Sequence, residues 1–276
     1  MSTGTVFPAQ ELQLGDTRFG YRACGQSGPQ VVLLHGISSG AASWAACAAA
    51  LAAQARVMAW DAPGYGVSTP LSVSAPDAMA YAQQLARLLD ALKIDRCILV
   101  GHSLGVLMAA AFSQWLPDRV QALLLFSPAI GYGGGPRAAA VREGRLEGLR
   151  QGIPAMAEKL PARLLSAGAS AEQRQQVRDV AMQLHETGYA QAVEMLCAED
   201  LNRYRHLPFL TRVYCGEHDV VTTPEQSRVY AEKHDLAFGL ISGAGHACHV
   251  EQPLQLARQI AQLAEHVGDP GAGVRA

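Results

Sequence analysis

The sequence predicts an α/β protein: a mostly parallel sheet covered by helices on both faces, interrupted by a helical insertion. Three observations predict it. Six short apolar runs recur along the chain, fenced by Gly, Pro or polar residues: "VVLL" (31–34), "RVMAW" (56–60), "CILV" (97–100), "ALLLF" (122–126), "RVYC" (212–215) and "LAFGLI" (236–241). They are continuous rather than alternating, as strands buried on both faces of a parallel sheet are. Helix-period stretches fall between them, and strand alternating with helix implies right-handed βαβ units. One interval, from Ser127 to Thr211, breaks the rhythm with no good strand run.

Taken in order, "ELQLGDTRFGYRA" (11–23) alternates and contains a Gly-Asp turn, which predicts an antiparallel hairpin at a sheet edge. In 76–94, Leu85, Leu88, Leu89 and Leu92 form one apolar stripe. The strand-free interval holds four helix-like pieces, near 137–151, 153–166, 171–187 and 189–203. Ser170 with Gln173 three residues on is a capping-box signal for the third. Such an interval is too long for a structureless loop, and it is expected over the C-terminal edge of the sheet, where ligands bind in open α/β folds. Near the C-terminus, Leu256, Ile260, Leu263 and Val267 form another stripe. The division expected is a core of 1–128 and 207–267, a helical cap of 129–206, and a frayed tail of 268–276.

Composition narrows the function. Of 276 residues, 49% are hydrophobic, ample for a core, and 17% are charged. The net charge of −2 argues against a nucleic-acid surface, which needs clustered basic residues. No run of eighteen apolar residues is present to span a membrane. The N-terminus lacks a basic start and an apolar stretch, so no secretory signal is expected. Six cysteines lie scattered without a CxxC pair, which reads as reduced thiols in a cytoplasmic protein rather than disulfides or a zinc site.

The segment "LVGHSLGV" carries Gly101-His102-Ser103-Leu104-Gly105, a G-x-S-x-G pattern with a strand before it and the apolar helix "VLMAAAFSQWL" after it. A serine at such a corner is forced into a strained turn that exposes its Oγ, and the helix N-terminus favours developing negative charge. Ser103 is therefore the expected nucleophile. It needs a base. His35 and His102 sit at backbone turns, His185 and His206 lie in the insertion, and His218 follows a strand end without a loop of its own. His234 and His266 fall on helix-like surface stretches. "ISGAGHACHVEQP" (241–253) presents His246 on a Gly-rich loop after a strand, so His246 is the base and His249 the decoy. For the orienting acid, "VYCGEHDVVTTP" (213–224) offers Asp219, with Glu217 as its rival nearer the strand end. The oxyanion donors expected are the backbone N–H groups of Leu104 and of Ile37, in the loop after "VVLLHG". Ser38 could add a hydroxyl there. "DAPGYGVS" (61–68) reads as a structural turn.

"HGISSGAASW", "DAPGYGVS", "GHSLG", "GEHD" and "GAGH" stand in an order and at spacings that resemble the α/β-hydrolase superfamily, over about 20–265. Within that superfamily the chain looks most like the 3-oxoadipate enol-lactonase group: "RLEGLRQGIPAMAEKLPARLL" (145–165) and "ETGYAQAVEMLCAEDL" (186–201) resemble its cap helices, and "HACHVEQP" (246–253) its post-histidine helix. The resemblance implies the fold, a Ser103–Asp219–His246 triad, and Trp44, nine residues after His35, as a substrate contact. Where some members place the acid one strand earlier, this chain has Ser127 in "LLLFSPA" and no carboxylate. Two departures stand out. Ser38 replaces the glycine common in the oxyanion loop of enol-lactonases. Ala247 follows the histidine where meta-cleavage C–C hydrolases usually carry tryptophan.

The activity expected is hydrolysis of a small ester or lactone without metal or cofactor. The alternatives are a C–C hydrolase of the meta-cleavage type and a small-molecule receptor that retains the triad. Arg142 and Arg145 share one face of the first insertion helix with Leu149, which points to a substrate carboxylate. The competing reading has both arginines solvated and paired with Glu143 or Glu147. The sequence leaves the oligomeric state open.

Overall fold

The computed structural model describes residues 6–204 and 208–268. His206 and the expected tail from 269 onward lie outside the described residues, as does the side chain of Val267. The strands are β1 (Ala9–Leu14), β2 (Thr17–Cys24), β3 (Gln30–Leu34), β4 (Arg56–Trp60), β5 (Cys97–His102), β6 (Val120–Phe126), β7 (Leu210–Gly216) and β8 (Ala237–Ile241). The helices are α1 (Ala45–Leu51), α2 (Ala78–Ala91), α3 (Leu104–Trp115), α4 (Pro136–Arg150), α5 (Ile153–Leu164), α6 (Ala171–Ala181), α7 (Glu186–Ala198), α8 (Pro224–Lys233), α9 (Cys248–Glu251) and α10 (Pro253–Gly268).

The strands form one sheet in the order β1-β2-β4-β3-β5-β6-β7-β8. β1 and β2 are the edge hairpin, antiparallel to each other and β2 antiparallel to β4; β3 to β8 pair parallel. The hairpin turns at Gly15, whose φ of 61° suits glycine. The continuous apolar strands have the expected cause. On β3, Val31 and Leu33 join a core with α1 and α10, while Val32 and Leu34 join the opposite core with α2 and α3. Both faces are buried from Val31 to Leu34, so these four positions are all apolar.

Four helices, α4 to α7, stand between β6 and β7. The capping box at Ser170 and Gln173 is formed on both sides. The third helix is shorter than its period suggests, ending at Ala181 rather than near 187. Tertiary contacts end it: Leu184 bridges to Tyr65, and His185 Nε2 meets the Gly66 carbonyl at 2.8 Å. The fourth likewise stops at Ala198, because Glu199 turns extended and its carboxylate accepts the N–H of Ala78 at 2.9 Å. Among the described residues no helix is long and apolar enough to cross a membrane.

Candidate active site

β5 runs straight into α3, and Ser103 is the corner residue, with φ 52° and ψ −117°. A non-glycine residue in that region is strained, and such strain is held where the surroundings over-determine it. Here Ser103 donates its N–H to the Phe126 carbonyl at 3.0 Å and accepts from Ala129 N–H at 3.2 Å. The flanking glycines are required by close approach. A Cβ on Gly105 would meet the Leu34 and His35 carbonyl oxygens at 2.5 and 2.8 Å, and one on Gly101 would meet the Gly105 oxygen at 2.8 Å.

The loop after β8 brings His246 to this corner. His246 Nε2 lies 3.0 Å from Ser103 Oγ, and its Nδ1 lies 2.8 Å from Asp219 Oδ2. All three residues are buried. Asp219 sits in the turn after β7, where Oδ1 accepts the N–H groups of Val221 and Thr222 at 2.8 and 3.0 Å. Thr222 Oγ1 lies 2.9 Å from Oδ2 and 3.2 Å from His246 Nδ1. Burial pushes the Asp219 carboxyl up, but the His246 ring and these hydrogen bonds outweigh it and hold the acid well below the usual carboxylate range. An ionised Asp219 accepts only, so it fixes the proton of His246 on Nδ1. Nε2 is left as the acceptor facing the serine hydroxyl.

The rivals lie elsewhere. Glu217 is exposed and accepts the Gly243 N–H at 2.9 Å; His218 is exposed. His249 is 1% exposed, and neither of its ring nitrogens has a hydrogen-bond partner among the described residues. Burial, then the neighbouring His102 and His246, hold it well below the ordinary imidazole range. His102 Nε2 meets the His246 carbonyl at 2.8 Å, so this turn residue also anchors the histidine loop; burial and then His246 push it down to about 3.

The loop after β3 passes directly over the serine: a Cβ on Gly36 would meet Ser103 Cβ at 3.1 Å. Among the described residues, no hydrogen bond engages the backbone N–H of Ile37 or of Leu104. Both residues line a cavity of about 540 Å³ together with Ser103. A smaller cavity of about 50 Å³ is lined by Ile37, Ser38, Ser103, His246 and Arg145, with Leu160, Arg163 and Leu164 of α5.

Two expected contacts are corrected. Arg142 does not line these cavities; it pairs with Glu194 of α7 at 2.8 Å, and Glu143 and Glu147 pair with Arg150 instead. Trp44 is fully buried behind the wall, its ring 4.5 Å from that of His249 and 6.3 Å from that of His102. Arg145 does reach the cavity, and so does Arg163, which the sequence reading missed. Arg163 belongs to α5 with Glu158 and Lys159, all three exposed, and only the packing of α5 decides which of them borders the cavity beside the serine. Burial, then the charge of Arg145, hold the Arg163 guanidinium below its ordinary value. Arg145 has one described partner, the hydroxyl of Tyr189 at 3.3 Å. No three His, Cys, Asp or Glu side chains among the described residues come together as a metal-holding group.

Residues 31–259 match the model of the Alpha/beta hydrolase family. Over 125 residues the chain is 36% identical to 2-hydroxy-6-oxononadienedioate/2-hydroxy-6-oxononatrienedioate hydrolase 1 of Dechloromonas aromatica (strain RCB), covering 44% of this chain and 42% of that one. A hydrolase of the same description from Paraburkholderia xenovorans (strain LB400) is 36% identical over 126 residues, 44% of this chain and 43% of the other. The chain thus spans less than half the length of these curated relatives. Among solved structures, a thermophilic esterase from Thermogutta terrifontis superposes with a TM-score of 0.85 at 25% identity, covering 95% of this chain and 100% of that one. The enol-lactonase from Burkholderia xenovorans LB400 gives 0.83 at 24% identity, covering 93% and 100%. With the family model matched over most of its length, the chain belongs to the alpha/beta hydrolase family.

Proposed function

We propose that this chain is a serine hydrolase that cleaves a small ester or lactone, with Ser103 as nucleophile, His246 as general base and Asp219 as its orienting acid. The observation that carries the reading is the unbroken chain of contacts from Asp219 Oδ2 through both ring nitrogens of His246 to Ser103 Oγ, at 2.8 and 3.0 Å. His246 Nε2 takes the hydroxyl proton as Oγ attacks the acyl carbon. Asp219 stabilises the imidazolium that results. The imidazolium then protonates the leaving oxygen, and a water activated by the same ring releases the acyl group. The tetrahedral oxygen takes the N–H groups of Ile37 and Leu104, which are otherwise unengaged, at the N-terminus of α3.

The four helices at 129–206 act in this reading as a cap on a core of 1–128 and 207–267. They supply Arg145 and Arg163 to the cavity wall. Neither arginine has an ion-pair partner among the described residues, which supports a substrate that carries a carboxylate.

A second reading, a C–C hydrolase of the meta-cleavage type, is favoured by the curated relatives, which are named as hydrolases of 2-hydroxy-6-oxo dienedioates. A panel of small esters, lactones and C–C diketones assayed on the purified protein separates the two. The proposal expects Ser103-dependent turnover of the esters and lactones at rates above those of the diketones. The opposite order would favour the second reading, and no turnover at all would favour a receptor.

A further inference from the structure

The loop that presents His246 is held on both sides of that residue by the segment in which α5 ends. Ala247 donates its N–H to the Leu164 carbonyl at 2.8 Å. Gly245 donates its N–H to Oε2 of Glu251 at 2.6 Å. The other oxygen, Oε1, accepts from the N–H of Ser166 at 3.0 Å and from its hydroxyl at 2.5 Å. One carboxylate therefore joins the residue before His246 to the residue two beyond α5. Gln173 of α6 closes the arrangement from behind, with its Nε2 3.2 Å from the Val250 carbonyl and 3.1 Å from that of Glu251. The fit is tight: a Cβ on Gly245 would meet Ser166 N at 2.7 Å.

Glu251 is buried, and no Lys, Arg or His among the described residues forms an ion pair with it. Enclosing a carboxylate without a cation is unfavourable unless hydrogen bonds replace its water. Three donors do so here, and two are backbone N–H groups that cannot reverse. An amide in its place would turn its NH2 against one of them, so the site calls for a group that only accepts. α5 is also the helix that lines the small cavity with Leu160, Arg163 and Leu164.

We infer that Glu251 is a positioning residue for His246: its carboxylate seats the histidine loop against the end of α5, and this sets the reach of Nε2 to Ser103. The inference rests on the reading of His246 as the base. It places the cap in the machinery that holds the base, not only in the wall that binds substrate.

The test compares wild type with Glu251→Gln, Glu251→Ala and Ser166→Ala, using 4-nitrophenyl acetate turnover and the rate of Ser103 phosphonylation by a fluorophosphonate. Active sites are counted by the end point of the phosphonylation, so unfolded protein drops out. A misplaced catalytic group costs up to about 100-fold. The expected losses in kcat are about 100-fold for Glu251→Ala and about tenfold for Glu251→Gln, which keeps one acceptor. Ser166→Ala loses one hydroxyl bond, worth about threefold. KM stays within about twofold throughout, and phosphonylation slows in proportion to kcat. If Glu251→Ala and Glu251→Gln do not fold, the Ser166→Ala rates decide alone. Normal phosphonylation and kcat per active site in the variants would overturn the role of Glu251. Failure of wild-type Ser103 to react would overturn the reading of the site itself.

Discussion

Asp219 and His246 meet at 2.8 Å, Oδ2 to Nδ1, and the turn after β7 leaves the carboxylate no freedom to rotate. Its second oxygen is already held by two backbone N–H groups, those of Val221 and Thr222, at 2.8 and 3.0 Å. Asp219→Asn keeps the shape but presents an amide to the ring, which favours the wrong imidazole tautomer. The expected fall in kcat is about 10⁴-fold. Glu217→Gln, at an exposed site whose carboxylate accepts the Gly243 N–H, is expected to keep near-normal kcat. Steady-state kinetics on both variants check this, and the reverse ordering would transfer the acid's role to Glu217.

His246 and His249 differ in what they touch. The first bridges Asp219 and Ser103, while the ring of the second packs between Trp44 and His102 without a hydrogen bond among the described residues. His246→Ala is expected to lose nearly as much kcat as the serine variant, because groups that act as a unit are lost as a unit. His249→Ala is expected to lose far less. Comparable losses in the two variants would show that the base is misassigned.

Acid is expected to unfold this protein early. Burial holds His35, His102 and His249 below their ordinary value of 6.5. The unfolded chain therefore takes up protons first as pH falls through 6.5. Stability from these groups is complete above that pH and is lost below it, continuing for His102 to about 3. Asp219, also held down, adds a loss in the same direction below its ordinary 3.8. Each histidine contributes up to about 1.4 kcal/mol per pH unit. Urea unfolding at pH 7.5 and pH 5 should show the decline, and His249→Leu should remove about one proton of its slope. A flat profile between those two conditions contradicts the assignment of buried neutral imidazoles.

The strand-to-helix corner tolerates no side chain at Gly105. The added Cβ would lie 2.5 Å from the Leu34 oxygen, backbone that cannot swing aside. Gly105→Ala is expected to destabilise by about 3 kcal/mol, the upper range for overpacking a filled interior. Chemical denaturation measures it, and a loss below about 0.5 kcal/mol, the size of an ordinary surface change, would contradict the close approach.

Arg142 and Arg145 stand three residues apart on α4 but face different partners. Glu194 holds the first, and the second lines the cavity with Arg163. For mono-4-nitrophenyl glutarate against its methyl-capped neutral analogue, wild type is expected to favour the acid by about tenfold in kcat/KM. The margin should shrink in Arg145→Gln and Arg163→Gln and persist in Arg142→Gln. Equal rates for acid and neutral ester in wild type would remove the carboxylate from the substrate.

What the sequence made legible follows from what is local. Apolar runs buried on both faces read as parallel strands because neither face can carry a polar residue. The strand-to-helix corner at Ser103 is legible because the pattern, its strand and its helix are contiguous, and Gly101 and Gly105 are dictated by backbone contact. His246 and His249 differ already in the sequence, one on a glycine loop and the other in the short stretch that forms α9. The insertion was legible as helices but not as a surface. Its end points answer to Tyr65 and Ala78, more than a hundred residues away in the chain, and the partner of Arg142 comes from α7. Trp44 was misread because its position along the chain resembled a site residue, while its ring turns into the core. Glu251 gave no signal, since its three donors come from two separate loops.

The measurement that bears most directly on the central claim is mass spectrometry of the protein after treatment with a fluorophosphonate, alongside hydrolysis of an activated ester. The account predicts one phosphonyl group per chain, located by peptide mapping on Ser103. It also predicts that Ser103→Ala neither labels nor turns over the ester, with kcat lowered on the order of 10⁶-fold. Label on another residue, or more than a few per cent of ester turnover retained by Ser103→Ala, would contradict it.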